Sequence, residues 1–198
     1  MILNEKLKKY KIILASGSPR RKEIFQILGF DFEVKTKETK EEYPADLPKE
    51  KVSEFLAELK AKAFENEVLE DEKLIVITSD TTVVIDGEIL GKPSGREGAI
   101  EMLKKLSGRT HTVITGFAFV SAEETYVSSE KTEVTFAKLS KEEIERYADT
   151  EEPYDKAGAY AIQGKSAVFV KGIKGDVYTV IGLPLQRVYQ YLHKKNYL

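Results

Sequence analysis

At 198 residues, with 31 basic and 33 acidic side chains and a net charge of −2, the chain can build one large domain or two small lobes, and it has no broad cationic field for duplex nucleic acid. It contains no Cys, which excludes disulfides and thiolate metal sites and leaves a catalytic metal only oxygen ligands and two histidines. The first ten residues hold no continuous apolar stretch and no run approaches the ~20 residues that cross a bilayer, so the expected compartment is the cytoplasm.

Apolar runs and capping signals alternate along the chain as in an α/β domain. Residues 11–15 read as a buried strand and 19–28 as a helix that Gly29 stops. A second strand is expected at 31–35. A helix over 49–65 follows, with Val52, Phe55, Leu56, Leu59 and Ala63 on one face. Residues 74–78 and 82–85 are apolar and β-rich, and Asp86-Gly87 signals a hairpin into 88–90. Ser94 with Glu97 forms a capping box opening a helix that Gly108 closes, and Ser140 with Glu143 forms a second one over a short helix ending near Asp149. Residues 112–120 and 124–137 alternate like paired strands. Residues 167–170 and 177–180 are expected as late strands, and 184–195 as a closing helix. No repeat or linker interrupts the series, so a single continuous domain, 1–198, with a cleft is the economical arrangement.

Ser16-Gly17-Ser18-Pro19-Arg20-Arg21 follows the first strand directly. Ser18 suits an N-cap and Pro19 the first helical position, so Arg20 and Arg21 occupy the first turn, where a helix already carries positive partial charge. An external anion resolves that conflict: glycine admits a phosphate to the backbone N–H groups, and the guanidinium groups add forked contacts. Asp80, between two apolar runs, is expected at or near the end of a central strand, where it either binds Mg²⁺ or takes a proton from water, or else shapes a turn. Lys92, pinned between Gly91 and Pro93, is a point cation that either meets phosphate or is solvated. Lys62 falls near Phe55 on the edge of a helical stripe, where it faces a partner or snorkels. In 153–164, Gln163 offers the donor and acceptor that reading a base edge requires, and Tyr160 either stacks on a base or packs into its own loop. His111 reads as a structural histidine at a strand entrance. The Walker and Rossmann glycine patterns are absent.

Taken together and in order, Leu14-Ala15-Ser16-Gly17-Ser18-Pro19-Arg20-Arg21, Ser79-Asp80-Thr81, Leu90-Gly91-Lys92-Pro93, Gly108-Arg109-Thr110-His111, the run from Asp155 to Gly164 and Gly182-Leu183-Pro184-Leu185 closely resemble the Maf family of nucleotide pyrophosphatases. The resemblance implies a two-lobed α/β fold similar to the inosine triphosphate pyrophosphatases, with a long mixed twisted sheet flanked by helices and a central nucleotide cleft. It implies hydrolysis of dTTP and UTP to the monophosphate and pyrophosphate, with Asp80 as the general base. Arg20, Thr81 and Gln163 match the trio marking members that prefer dTTP and UTP over the 7-methyl-GTP branch. Arg21, Lys62 and Lys92 match positions suited to the triphosphate, which Ser16 and Ser18 help to cradle, while Glu33 and Asp80 are the candidates for a divalent metal, Mg²⁺ or Mn²⁺. The implied partners are a nucleoside triphosphate and a second copy of the chain, with no nucleic acid and no membrane. Ser79 and Thr82 depart from the Ala and Val that the family often carries there. The alternatives are a purine- or 7-methyl-GTP-selective pyrophosphatase and a nucleotide-binding regulator of septum formation with little turnover.

Overall fold

The computed structural model describes residues 7–195 and Tyr197; six of the ten residues at the start, read above as lacking an apolar run, lie outside the described residues. The strands are β1 (Lys11–Leu14), β2 (Glu33–Val34), β3 (Leu74–Ile85), β4 (Glu88–Leu90), β5 (Thr110–Val120), β6 (Thr125–Phe136) and β7 (Val170–Lys174). The helices are α1 (Pro19–Gln26), α2 (Val52–Lys62), α3 (Glu65–Glu70), α4 (Gly95–Leu106), α5 (Lys141–Ala148), α6 (Val177–Ile181) and α7 (Leu185–Lys194). Among the described residues the strands form one sheet in the order β2-β1-β3-β5-β6-β7, with β4 paired to β3. β1 is parallel to β2 and β3, whereas β3–β4 and β6–β7 are antiparallel, so the sheet is mixed.

The chain divides into two compact units. The first comprises the described residues of Met1–Asp80, Thr115–Glu130 and Gly182–Leu198. Its core sets Ile13, Val76, Ala118 and Val120 of the strands against Ala57, Ala61 and Phe64 of the helical segment. Close approach of α2 depends on Gly116, because a Cβ there would lie 2.2 Å from the Ser53 carbonyl oxygen. The α7 ring of Tyr191 stacks on Phe119 and Tyr126, with centroids 4.1 and 4.5 Å away, and its hydroxyl donates to Glu124.

The second unit comprises Thr81–Ile114 and Lys131–Ile181. Val83, Ile85, Leu103, Val113, Phe136 and Tyr147 are among its buried core. Asp86 and Gly87 both adopt positive φ, 53° and 73°, which fits the hairpin turn expected there. Ser140 and Glu143 form the expected capping box in full. Ser94 does not: its side chain makes no capping bond, and Gly95 after it takes φ 78°, which turns the chain into α4 by backbone geometry instead.

Several expected elements differ. The strand expected at 167–170 is a 3-10 helix over Lys165–Phe169, with only Val170 in β7. The run at 177–180 is helical in α6, not a strand, because both Asp176 carboxylate oxygens accept backbone N–H groups, of Tyr178 at 3.0 Å and Thr179 at 3.2 Å. A cap outweighs the weak β preference of a short β-branched run. The two apolar runs around Asp80 are one twelve-residue strand, β3, with Asp80 inside it and buried. Thr78 and Ser79 are tolerated within β3 because their side chains are satisfied: Thr78 Oγ1 donates to the Ala57 carbonyl at 2.6 Å and Ser79 Oγ lies 2.9 Å from the Gly116 carbonyl.

Candidate functional site

Asp80 still stands where the parallel part of the sheet ends. β1 pairs with β3 as far as Leu14 opposite Ile77, and Ala15 N donates to the Ile77 carbonyl at 2.8 Å. β1 then turns into residues 16–18 while β3 continues through Ser79 and Asp80, so the Ser-Gly-Ser turn lies at the carboxyl end of a parallel strand, the usual ligand position in such sheets. Ser16 Oγ accepts from Ser18 N at 3.3 Å and from Arg21 Nη1 at 3.4 Å. α1 starts at Pro19 with no acidic residue in its first turn, and Ser18 makes no side-chain cap bond.

Arg21 is built into the protein. Its Nε donates to the Gly182 carbonyl at 2.8 Å and its Nη1 to the Ser79 carbonyl at 2.8 Å, so one guanidinium ties the start of α1, β3 and the segment before α7. The Gly182 carbonyl also lies 2.8 Å from Ser79 Oγ. Burial pushes the Arg21 pKa down, and the nearby Asp80 carboxylate works against that. Arg20, half-buried beside it, is the second cation of the turn.

The Asp80 carboxylate accepts from Lys60 Nζ at 2.6 Å, and the same ammonium lies 3.0 Å from Glu41 Oε1. Lys60 sits in the last turn of α2, where a cation suits the helix dipole, with its side chain 17% exposed. The Thr78–Ala57 bond fixes the level: from Ala57, three helical residues advance ~4.5 Å, and from Thr78, two strand residues advance ~6.6 Å, so Lys60 reaches Asp80. Lys62, two positions on, is rotated ~200° about the helix and faces away. It pairs with Glu58 at 2.8 Å and is 62% exposed.

Glu33 and Asp80 do not come together. Ile13 is opposite both Glu33 on β2 and Val76 on β3, so Glu33 is level with Val76, four residues short of Asp80. That is ~13 Å along the strand and two strand spacings of ~4.8 Å across, beyond the span of two carboxylates on one ion. Among the described residues no group of three or more His, Cys, Asp or Glu could hold a metal. Asp80 and Glu41, which share one ammonium at 2.6 and 3.0 Å, do fit a divalent cation that takes one or two carboxylates and completes its shell with phosphate oxygens and water.

Sequence reasoning missed Lys60 and Glu41. The buried face of α2 is Val52, Ser53, Leu56, Ala57 and Ala61, and Lys60 continues the i, i+4 row of Val52 and Leu56. A lysine on a buried row was the available signal, and the small residues Ser53, Ala57 and Ala61 concealed it by carrying little apolar weight. Glu41, in a segment with no regular structure, offered none.

In the second unit, Thr81 follows Asp80 directly along β3. Lys92 is exposed on the segment after β4, and that segment is held by Gly158 N donating to the Gly91 carbonyl at 3.0 Å. Gly158 adopts φ 69° with Val83 side-chain atoms 3.1 to 3.3 Å from where a Cβ would stand, so glycine is required there twice over. Gln163 is exposed in a turn closed by Gly164 N donating to the Ala161 carbonyl at 3.0 Å. Tyr160 is not a stacking platform. Its ring is buried edge-on against Phe136 and His111, and its hydroxyl lies 2.7 Å from His111 Nε2. Burial pushes the His111 pKa down to about 4, which keeps it neutral and structural, as its place at the entrance of β5 suggested.

A model of the Maf-like protein family matches residues 11–195. A dTTP/UTP pyrophosphatase of Flavobacterium johnsoniae is 47% identical over 192 residues, 96% of this chain and 98% of that protein. Another, from Thermotoga maritima, is 46% identical over 187 residues, 94% and 90% of the two chains. Among solved structures, the Staphylococcus aureus Ham1 protein superposes with a TM-score of 0.56 over 93% of this chain and 99% of its own, at 15% identity, a likeness of fold.

Proposed function

Because the chain belongs to the Maf-like protein family, we propose that it is a nucleoside triphosphate pyrophosphatase that hydrolyses dTTP and UTP to the monophosphate and pyrophosphate. The observation that carries the reading is the buried Asp80 carboxylate held on Lys60, next to the Ser16 turn and the Arg21 guanidinium. Phosphoanhydride hydrolysis asks for charge neutralisation, positioning and an activated water rather than a covalent intermediate.

Each group then has a task. Asp80 orients the water and accepts its proton as the hydroxyl adds to phosphorus and the anhydride oxygen leaves with pyrophosphate. Lys60, shared between Asp80 and Glu41 before substrate arrives, turns to the phosphate oxygens when they enter. Ser16, Ser18, Arg20, Arg21 and the amide groups of the turn hold the triphosphate, Ser16 and Arg21 also keeping that turn in shape, and Lys92 neutralises the leaving pyrophosphate. Lys62 joins the phosphate ligands by opening its pair with Glu58. A divalent cation, Mg²⁺ or Mn²⁺, held by Asp80 and Glu41 together with the nucleotide, supplies charge neutralisation on the phosphate oxygens. Arg20, Thr81 and Gln163 select the pyrimidine base. Substrates of this kind place the protein in the cytoplasmic nucleotide pool, and among the described residues no helix is long and apolar enough to cross a membrane.

A panel of triphosphates incubated with Mg²⁺ and with Mn²⁺, scored separately for pyrophosphate and orthophosphate, tests the reading. Preference for dTTP and UTP with pyrophosphate as product is expected. Preference for ITP or 7-methyl-GTP would overturn the base assignment, and tight binding without turnover would overturn the enzymatic one.

A further inference from the structure

The turn that carries Gln163 is held from behind by one carboxylate. Glu152 Oε2 accepts the backbone N–H of Lys165 at 2.9 Å, and Oε1 accepts the Tyr147 hydroxyl at 2.9 Å and the backbone N–H and hydroxyl of Ser166, both at 3.3 Å. Gly164 lies so close that a Cβ there would stand 2.2 Å from Glu152 Oε1. Ser166 closes the other side, with Oγ 2.9 Å from the Ala161 carbonyl and 3.0 Å from Ala161 N. Residues 161–166 are therefore stitched at both ends, and Gln163 stands exposed at the middle of the stitched turn.

The carboxylate receives three protein donors besides the Ser166 hydroxyl, and charged acceptors on backbone N–H groups make the stronger and shorter bonds. The hydrogen bonds to those donors hold the Glu152 pKa below the ordinary carboxylate range against the opposing effect of burial. Tyr147, Glu152 and Ser166 all belong to the second unit, so the scaffold behind Gln163 is complete within it.

We propose that Glu152 is a positioning residue for base selection: its carboxylate fixes the 161–166 turn so that the Gln163 amide meets the base in one orientation. The inference rests on the pyrophosphatase reading and adds to it a residue that touches no substrate. Fixing the amide before binding removes an ordering cost that would otherwise fall on the complex with the correct base, so the device acts on recognition rather than on phosphate chemistry.

Glu152→Gln tests it. The amide presents one N–H₂ where a carboxylate oxygen accepted, so at least one of the donors at Lys165, Ser166 and Tyr147 is left facing another donor. The expected result is a KM for dTTP and UTP raised up to ~10-fold, the scale of ordering one loosened side chain on binding, with kcat changed little and discrimination against ITP reduced by a similar factor. Inhibition by inorganic tripolyphosphate, which has no base, stays at its wild-type constant. Ser166→Ala cuts the second stitch while leaving the Lys165 bond, and a smaller change in the same direction is expected. Glu152→Asp, which keeps the acceptor but withdraws it, should fall between wild type and Gln. Unchanged discrimination in both Glu152→Gln and Ser166→Ala overturns the proposal, as does an equal loss of kcat on every triphosphate with weaker tripolyphosphate binding, the pattern of general structural damage. If the wild-type protein turned over no triphosphate, the underlying reading would fall instead, a result distinct from either.

Discussion

Acid should weaken the second unit through one residue, His111. Its Nε2 lies 2.7 Å from the Tyr160 hydroxyl, its Nδ1 has no hydrogen-bond partner among the described residues, and the rings of Phe136 and Tyr160 stand edge-on at 5.2 and 5.3 Å. A proton on the imidazole would place a buried N–H where nothing accepts it, and burial accordingly pushes the pKa to about 4. The unfolded chain titrates near ~6.5. Between those two values the unfolded state binds a proton that the folded state does not, so stability falls as pH falls through that window and is level above it. At about 1.4 kcal/mol per pH unit, the loss reaches ~2 kcal/mol at pH 5 and ~3 kcal/mol at pH 4. Urea unfolding of wild type and His111→Gln at pH 5, 6 and 8 reads this directly, because Gln can still bond the Tyr160 hydroxyl but does not titrate. Carboxylates titrate in both proteins and cancel in the difference. Wild type should lose ~2 kcal/mol more than the variant between pH 8 and pH 5. Equal losses would show that His111 is hydrated in solution and that the unpartnered Nδ1 is no guide to its titration.

Asp80→Asn should lower kcat by ~10²-fold or more while leaving nucleotide binding measurable by calorimetry, the size of a lost general base. Lys60→Met should lower kcat/KM to a similar degree and weaken folding by ~1–3 kcal/mol, because Asp80 loses the partner at 2.6 Å that offsets its burial. Lys62→Met breaks an exposed pair and should shift urea stability by less than ~0.5 kcal/mol while raising the KM for dTTP several-fold; an unchanged KM would remove Lys62 from the phosphate ligands. Gly116→Ala should cost ~3 kcal/mol or leave the protein insoluble, since its Cβ would strike backbone rather than a movable side chain, and a soluble variant melting like wild type would refute the close approach of α2.

Most of the fold was legible in the sequence because pattern and punctuation agree: Gly29 and Gly108 take the positive φ expected after α1 and α4, and Asp86-Gly87 turns where a hairpin requires it. What was not legible depended on partners distant in sequence. The interruption at Ser79-Asp80 read as a break between strands, yet β3 runs straight through, because Gly116, Gly182 and Lys60 supply the bonds those polar side chains need. The segment at 177–180 followed β propensity on paper and the Asp176 cap in fact.

The site shows the same dependence in reverse. Arg21 was assigned to phosphate because two arginines at a helix start call for an anion, and no local pattern announced that the carbonyls of Ser79 and Gly182 also take its Nη1 and Nε. Lys62 came from the family resemblance and lies beside Phe55, whereas the face that packs is Val52, Ser53, Leu56, Ala57 and Ala61. Gly116 has no side chain and Ser53, Ala57 and Ala61 have little, so α2 turns that side to the sheet, and the lysine on that side is Lys60. Where a helix is buried by close approach, small residues mark the buried face as well as apolar ones, and Lys60, on the row of Val52 and Leu56 and beside Ser53, is the lysine turned toward it.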